Sequence, residues 1–443
     1  MPDTLTHEVT DLLQHLIRNA CVNDGTEDSG GESRSAEVLR SYLSGPGLDL
    51  QEFAARPDRA SLVARIEGTD PTAPTLLLMG HTDVVPATEG WRHDPFGGEL
   101  IDGEVWGRGA VDMLNLTASM AVAVRQLAND GFRPRGTLIY LAVADEEALA
   151  TYGAQWLVEH ELDAIRADYV ITESGGIPMP SDSGVKLPVI VAEKGTFWVK
   201  LRIRGTPGHA SQPLRTDNAL VKAAEVVRRI AAHEPETDIH ETWRRFVVGM
   251  DFPPDLAEPL LDPARLPDLC EVLPIGLARQ AHACTHTTFA PTVLHGGTKT
   301  NVIPDVVELE VDIRTLPGQT SADIRAELDV ILGELAESVE LTATSDDPST
   351  SSPIDTPLWD CLQRVTGKMV PGSAPVPFMT VGATDARFFR RLGIPSYGFG
   401  LFSPQISFDQ FSSMFHGDDE RVDVESLRLS TEMWLAVARD LLS

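Results

Sequence analysis

A layered α/β chain with a mostly parallel sheet, interrupted by a smaller α+β module, is the architecture to expect here. Short, wholly apolar runs separated by stretches of helical period point to the first part, because strands buried on both faces of a sheet read as continuous hydrophobic segments. A switch to period-two alternation after Glu193 points to the second. The length of 443 residues is enough for more than one hydrophobic core.

MPDTLTHEVTDLLQHLIRNA (1–20) carries acidic residues where a secretion signal needs a basic start, and its apolar positions recur at helical spacing, which predicts an amphipathic first helix. TLLLMG (75–80), TLIYLAVA (137–144) and DYVITES (168–174) read as buried central strands, with LTASMAVAVRQLAND (116–130) as a helix between the first two. TFWVKLRIRG (196–205), NALVKAAEVVRRIAAH (218–233), VVELEVDIRT (306–315), SADIRAELDVILGELAES (321–338) and VELTATS (339–345) give the second module an order of strand, helix, strand, strand, helix, strand, which is ferredoxin-like. DDPSTSSPID (346–355) reads as a linker, and IPSYGFGLF (394–402) as a late buried strand that returns the chain to the first sheet. The expected division is 1–192 with 352–443 for the larger domain and 193–351 for the inserted one. Residues 234–287, rich in proline and acids and without a clear period, read as an insertion within it.

Thirty-six Lys and Arg against 66 Asp and Glu give a formal charge of −30, a surface that repels phosphate backbones, so nucleic acid is not an expected partner. The acidity is read as solubility, with no substrate preference attached. Cys21, Cys270, Cys284 and Cys361 are scattered without CxxC spacing, which fits free thiols in a reducing compartment and offers neither a disulfide framework nor a zinc ribbon. No apolar run approaches the ~20 residues of a membrane span, and a cytoplasmic location is expected.

The chemistry gathers at strand ends. TLLLMG runs into His81 and Asp83, TLIYLAVA into Asp145, Glu146 and Glu147, and DYVIT into Glu173, while GRGAVDM (107–113) puts Asp112 in a Gly-flanked turn before a helix. Open α/β sheets place their sites at the carboxyl ends of strands, so these groups can converge. Singly, each has an ordinary alternative: a hydrogen-bonded structural histidine, an N-cap acid at Asp112, a solvated pair at Glu146 and Glu147. It is their joint occurrence that favours a metal site.

MGHTDVVP (79–86), WRHDPFGGELIDGEVWGRGAVDM (91–113), ADEE (144–147), TESGG (172–176), GTPGHAS (205–211), NVIPD (301–305), DIRTLPG (312–318) and FHGDDE (415–420) resemble, in order, the motifs of the M20 family of cocatalytic zinc amidohydrolases and peptidases. The resemblance covers most of the chain and leans toward the aminoacylase and carboxypeptidase S-like branch. It implies a zinc-peptidase catalytic domain with an inserted lid and dimerisation domain. It further implies two Zn²⁺, with Co²⁺ or Mn²⁺ able to substitute: one ion held by His81, Asp112 and Glu173, the other by Asp112, Glu147 and His416, so that Asp112 bridges. Imidazole and carboxylate ligands suit zinc, and an anionic bridge offsets the repulsion of two dications.

By the same resemblance Asp83 orients the His81 imidazole and Glu146 is the general base. Successive side chains point apart, so Glu147 can face the metal while Glu146 faces a water shared by the ions. His209 is implied as an oxyanion stabiliser, often from the partner subunit in relatives, and Asn301 and Arg314 as a grip on the substrate carboxylate. GATDAR (382–387) resembles a pocket loop more weakly, with Asp385 and Arg387 as neighbours of the site.

Two features depart from the family pattern. Leu114 and Asn115 replace a basic residue and glycine after the bridging acid, which puts the start of the following helix in doubt, and the 234–287 insertion brings His282 and His286 with His295 nearby, all read as non-ligands for want of accompanying acids. The expectation is a homodimeric dizinc hydrolase that cleaves the amide next to a C-terminal amino acid in a short peptide or N-acyl amino acid. The alternatives are a deacylase dedicated to one metabolite and a catalytically silent binding relative.

Overall fold

A computed structural model describes residues 2–443, with side chains from Thr4 onward; Met1 of the expected first helix lies outside the described residues. A ten-stranded sheet forms the larger layer. At its centre Leu138–Val143, Leu76–His81, Tyr169–Thr172 and Ser396–Gly398 run parallel. Gly184–Glu193 continues the sheet and pairs in parallel with Ser373–Thr380.

Two hydrophobic clusters cover the two faces, and alternate residues of each strand divide between them. Leu76, Leu78, Leu138, Tyr140 and Ala142 enter one cluster. Leu77, Met79, Ile139, Leu141 and Val143 enter the other. This division is why TLLLMG and TLIYLAVA carry no polar alternation. Leu114–Asn129 and Val424–Leu442 pack together on the first face. Leu114 and Asn115 are buried within the first turn of that helix, so the departure from the family pattern leaves its start intact.

The second sheet has the strand order Thr288–Gly296, Val306–Thr315, Gly195–Arg204, Val339–Ala343, all antiparallel, which is the ferredoxin-like arrangement expected. Phe197, Val199, Leu201 and Ile203 point to the same side as Val307, Leu309, Val311 and Ile313. There they meet helices Ala219–Ala231 and Ser321–Leu332 in a separate cluster. The single helix expected over 321–338 breaks at Gly333, whose positive φ of 54° stops the α-helix and admits a 3₁₀ turn over Gly333–Ser338.

The insertion is helical: Glu241–Met250, Pro254–Leu260, Leu266–Val272 and Ile275–Thr285. Each helix is too short for its period to stand out, and three of the four begin beside a proline. These helices join the larger sheet's core, not the smaller one's, through Trp243, Phe246, Val247, Met250, Leu260 and Leu266. Among the described residues no helix is long and apolar enough to cross a membrane, and the four cysteines are free.

Candidate metal centre

Three neighbouring parallel strands deliver the first groups. His81 ends its strand, Glu173 follows Thr172, and Glu146 and Glu147 open a 3₁₀ turn after Leu138–Val143. Asp112 arrives from the turn preceding Leu114–Asn129, and His416 from the loop between Phe408–Met414 and Arg421–Asp423. Asp145, Ser174 and His416 all take left-handed backbone, at φ of 68°, 69° and 54°. Such conformations are costly for residues with a side chain and collect at functional sites.

The convergence is close. His81 Nε2 lies 3.2 Å from Asp112 Oδ1 and 3.9 Å from Glu173 Oε2. His416 Nε2 lies 3.4 Å from Asp112 Oδ2 and 3.2 Å from Glu147 Oε2. Asp112 therefore turns one carboxylate oxygen to each histidine. Ligand atoms of His81, Asp112 and Glu147 fall within 4.8 Å of one another, as do those of His81, Glu146 and Glu173. All five expected ligands and the expected base thus come together.

The electrostatics fit divalent cations. Burial, reinforced by the carboxylates of Glu146 and Asp112, holds the Glu173 carboxyl well above its usual range. Burial together with Asp385 and Glu147 does the same to Glu146, and burial with Asp112 raises Glu147. Burial opposes charge on His81, yet the hydrogen bond to Asp112 and the charges of Glu146 and Glu173 raise its pKa well above that of free imidazole. Bonds to Asp112 and Glu147 carry His416 to about 10. Glu147 Oε1 is buried without a hydrogen-bond partner. A nest of crowded carboxylates and two imidazoles is a donor set that hard or borderline cations satisfy, and no thiolate takes part.

Asp83 behaves differently from the expectation. Its main-chain carbonyl, not its carboxylate, meets His81 Nδ1 at 2.9 Å, and the nearer carboxylate oxygen stays 3.7 Å away. The carboxylate is drawn instead to two main-chain donors of the 3₁₀ turn, Glu146 N at 3.2 Å and Glu147 N at 3.1 Å, and to Asn23 Nδ2 at 2.9 Å. Asp83 thereby fixes both the imidazole and the turn that carries Glu146 and Glu147.

Other predicted groups lie elsewhere. His209 is exposed on a two-stranded ribbon formed with Val302–Ile303, its Nδ1 2.7 Å from Ser211 Oγ. Asn301, also exposed, accepts Ala210 N through its carbonyl at 3.1 Å. Among the described residues, no recorded hydrogen bond or ion pair links either to the carboxylate cluster. Arg314, on the second sheet, is paired with Asp312. Asp385 is buried with both carboxylate oxygens unpartnered, and burial lifts its pKa to about 7. Arg387 is buried, donates to Thr384 O at 2.7 Å and pairs with Asp347. His286 bonds Thr237 and Thr285, and its ring stacks on His282.

Two groups take supporting roles not expected of them, and one of these, Asp145, is a strand-end acid expected to converge with the others but held by different partners. Asp145, just before Glu146, is held by Arg59, by Asn23 Nδ2 at 3.0 Å and by Tyr152 N at 2.8 Å, while Arg59 also pairs with Glu32 at 2.7 Å. Glu420, within the FHGDDE motif, accepts four hydrogen bonds from the segment that ends in Asp112. An acid in a run of acids gives no sign of burial, so only the motif could have flagged it.

Residues 77–440 match the family described as Peptidase family M20/M25/M40. The chain is 29% identical over 393 residues to the N-fatty-acyl-amino acid synthase/hydrolase PM20D1 of Xenopus tropicalis, covering 85% of this chain and 74% of that one. It is 30% identical over 359 residues to aminoacylase-1B of Rattus norvegicus, covering 80% and 78%. The fold is similar to that of the M20 family metallo-carboxypeptidase Sso-CP2 from Sulfolobus solfataricus, with a TM-score of 0.73 at 16% identity over 98% of this chain and 99% of the other.

Proposed function

The chain belongs to peptidase family M20/M25/M40 and is a hydrolytic enzyme of that metal-dependent family, and from that premise we propose that it is a dizinc hydrolase of N-acyl amino acids. The observation that carries the reading is the meeting of His81, Asp112, Glu147, Glu173 and His416 with Glu146 beside them. The aminoacylase and N-fatty-acyl-amino acid hydrolase relatives favour an acyl group over a longer peptide on the carbonyl side of the scissile bond, with the amino acid leaving on the amine side.

Two divalent cations held by those five residues would supply Lewis acidity to a water molecule and to the scissile carbonyl. Glu146, half-buried and of raised proton affinity, takes the proton of the attacking water and returns it to the leaving amine nitrogen as the C–N bond breaks. Asp83 holds the turn that presents Glu146. Arg314 and Asn301 receive the carboxylate of the amino acid. Residues 193–351, apart from the helices between Glu241 and Thr285 that dock on the larger sheet, serve as a lid and as the pairing surface of a homodimer. The exposed His209 is then supplied to the neighbouring subunit's cleft to stabilise the oxyanion.

The test is a substrate screen on protein loaded with Zn²⁺ or Co²⁺, comparing N-acetyl, N-succinyl and long-chain N-acyl amino acids with dipeptides. Release of free amino acid from at least one N-acyl class, lost on chelation, is expected. Cleavage of dipeptides alone would replace the deacylase with a peptidase, and cleavage of nothing would remove the activity.

A further inference from the structure

Glu420 stands apart from the groups that face the cluster. It is fully buried, yet it aims its carboxylate away from solvent and into the turn 107–112. Oε1 accepts the amides of Val111 at 2.7 Å and Asp112 at 2.8 Å. Oε2 accepts the amide of Gly109 and Nη1 of Arg108, each at 3.0 Å. Its main-chain carbonyl accepts Gly107 N at 2.9 Å. Gly109 makes this possible with a φ of 91°, which turns its N–H inward beside those of Val111 and Asp112 to form an anion-binding concavity. Arg108, buried at 1% exposure, balances the charge and is itself tied to Pro86 O at 3.3 Å.

The position along the chain gives these bonds their meaning. His416 lies four residues before Glu420. The strand that follows, Arg421–Asp423, pairs with Glu104–Trp106, which leads directly into the 107–112 turn. Glu420 therefore closes a ring in which the loop bearing His416 and the turn bearing Asp112 are fixed to each other. His81 and Glu173 stand outside that ring, each on its own central strand.

We infer that Glu420 is a positioning residue that sets Asp112 and His416 relative to each other, and that the cation held by His416 depends on it more than the cation held by His81 and Glu173. The inference rests on the proposed reading of Asp112 as a bridging ligand. A general role in folding would weaken both cation positions alike, whereas a positioning role disturbs Asp112, which both share, and in addition the 416–420 segment, so that the cation at His416 loses more. Partners that orient metal ligands are typically worth 10- to 100-fold in metal affinity.

Glu420→Gln keeps an acceptor for two of the four donors but opposes an NH₂ to the others. Titration of the apoprotein with Co²⁺, read by visible absorption and by equilibrium dialysis, is expected to show two ions in the wild type. In the variant one ion should bind about 10- to 100-fold more weakly and the other by a smaller factor, with far-UV circular dichroism preserved. Should Glu420→Gln not fold, Arg108→Lys removes one donor while keeping the charge, and the same unequal weakening, smaller in size, is expected. Two ions bound with wild-type affinity overturn the inference alone, as does equal weakening of both. A wild type that binds fewer than two ions removes the reading beneath it, and the inference falls with that reading.

Discussion

Arg314 gives two of its five N–H groups to Asp312, two residues earlier on the same strand: Nε to Oδ1 at 2.7 Å and Nη2 to Oδ2 at 3.0 Å. A third goes from Nη1 to Thr196 Oγ1 at 3.1 Å, across the pair of strands in which Thr196 stands opposite Arg314. The guanidinium is thus fixed in direction and keeps N–H groups for a further anion.

Arg314→Met should accordingly raise KM for an N-acyl amino acid by about 10- to 100-fold, the worth of a lost charge-assisted hydrogen bond, while changing kcat less. The carboxamide analogue of the same substrate should be indifferent to the substitution. Equal losses on the acid and its amide would detach Arg314 from the carboxylate.

Glu146→Gln keeps the size of the side chain and removes its proton chemistry. Turnover is expected to fall by about 10²- to 10⁴-fold, with the metal content by elemental analysis matching the wild type. Retained turnover would take Glu146 out of the mechanism. Loss of metal would recast it as a ligand, a role its nearness to His81 and Glu173 makes worth checking.

Lys194 is buried where the two sheets join, its Nζ donating to His286 O at 2.7 Å and Thr288 Oγ1 at 3.2 Å. Burial, with the charge of Arg314 nearby, lowers its pKa to about 7. From there to the usual lysine value near 10.4 the unfolded chain carries a proton that the folded chain lacks. Stability therefore rises with pH across that window, and Lys194 contributes no slope below it, where both states are protonated. The slope approaches ~1.4 kcal/mol per pH unit. Lys194→Met should flatten it, as read from urea midpoints at about pH 7.5 and about pH 9.5. The same rise in both proteins would show Lys194 charged in the fold.

Arg59→Met strips the shared cation from Glu32 and Asp145, leaving two buried carboxylates without it. Breaking a buried pair on one side costs about 3–5 kcal/mol, and the loss should appear in the denaturant midpoint of the metal-free protein. A change below ~1 kcal/mol would mean that one carboxylate is neutral in the fold.

The parts of this protein that could be read in advance are those where a single physical demand dominates. Leu76 to Met79 and Leu138 to Val143 must satisfy two hydrophobic clusters at once, so they contain nothing but apolar side chains. His81, Glu146, Glu147 and Glu173 stand at or just past the ends of such runs and are conspicuous for that reason, whereas Asp112 and His416 come from a turn and a loop and stand out only within their motifs. What escaped depends on distant partners. Asp83 is pulled from its histidine by two amides of a turn far along the chain, Glu420 looks like a solvated acid until the 107–112 turn folds around it, and the Glu32, Arg59 and Asp145 network draws on three separate segments. Helices of the length of Pro254–Leu260 hold too few turns for periodicity to declare them.

The helices between Glu241 and Thr285 leave the small sheet after Ala231 and return to it at Thr288, having docked on the large one. Two strands of chain, at Glu193–Gly195 and between Ala343 and Thr350, would have made a pivot with one free axis. The excursion adds two more tethers, set apart from the first pair. Any swing of the small sheet over the carboxylate cluster is thereby held to a path that all four tethers can follow, and twisting about the original axis is opposed by the buried Trp243 and Phe246 at the far anchor.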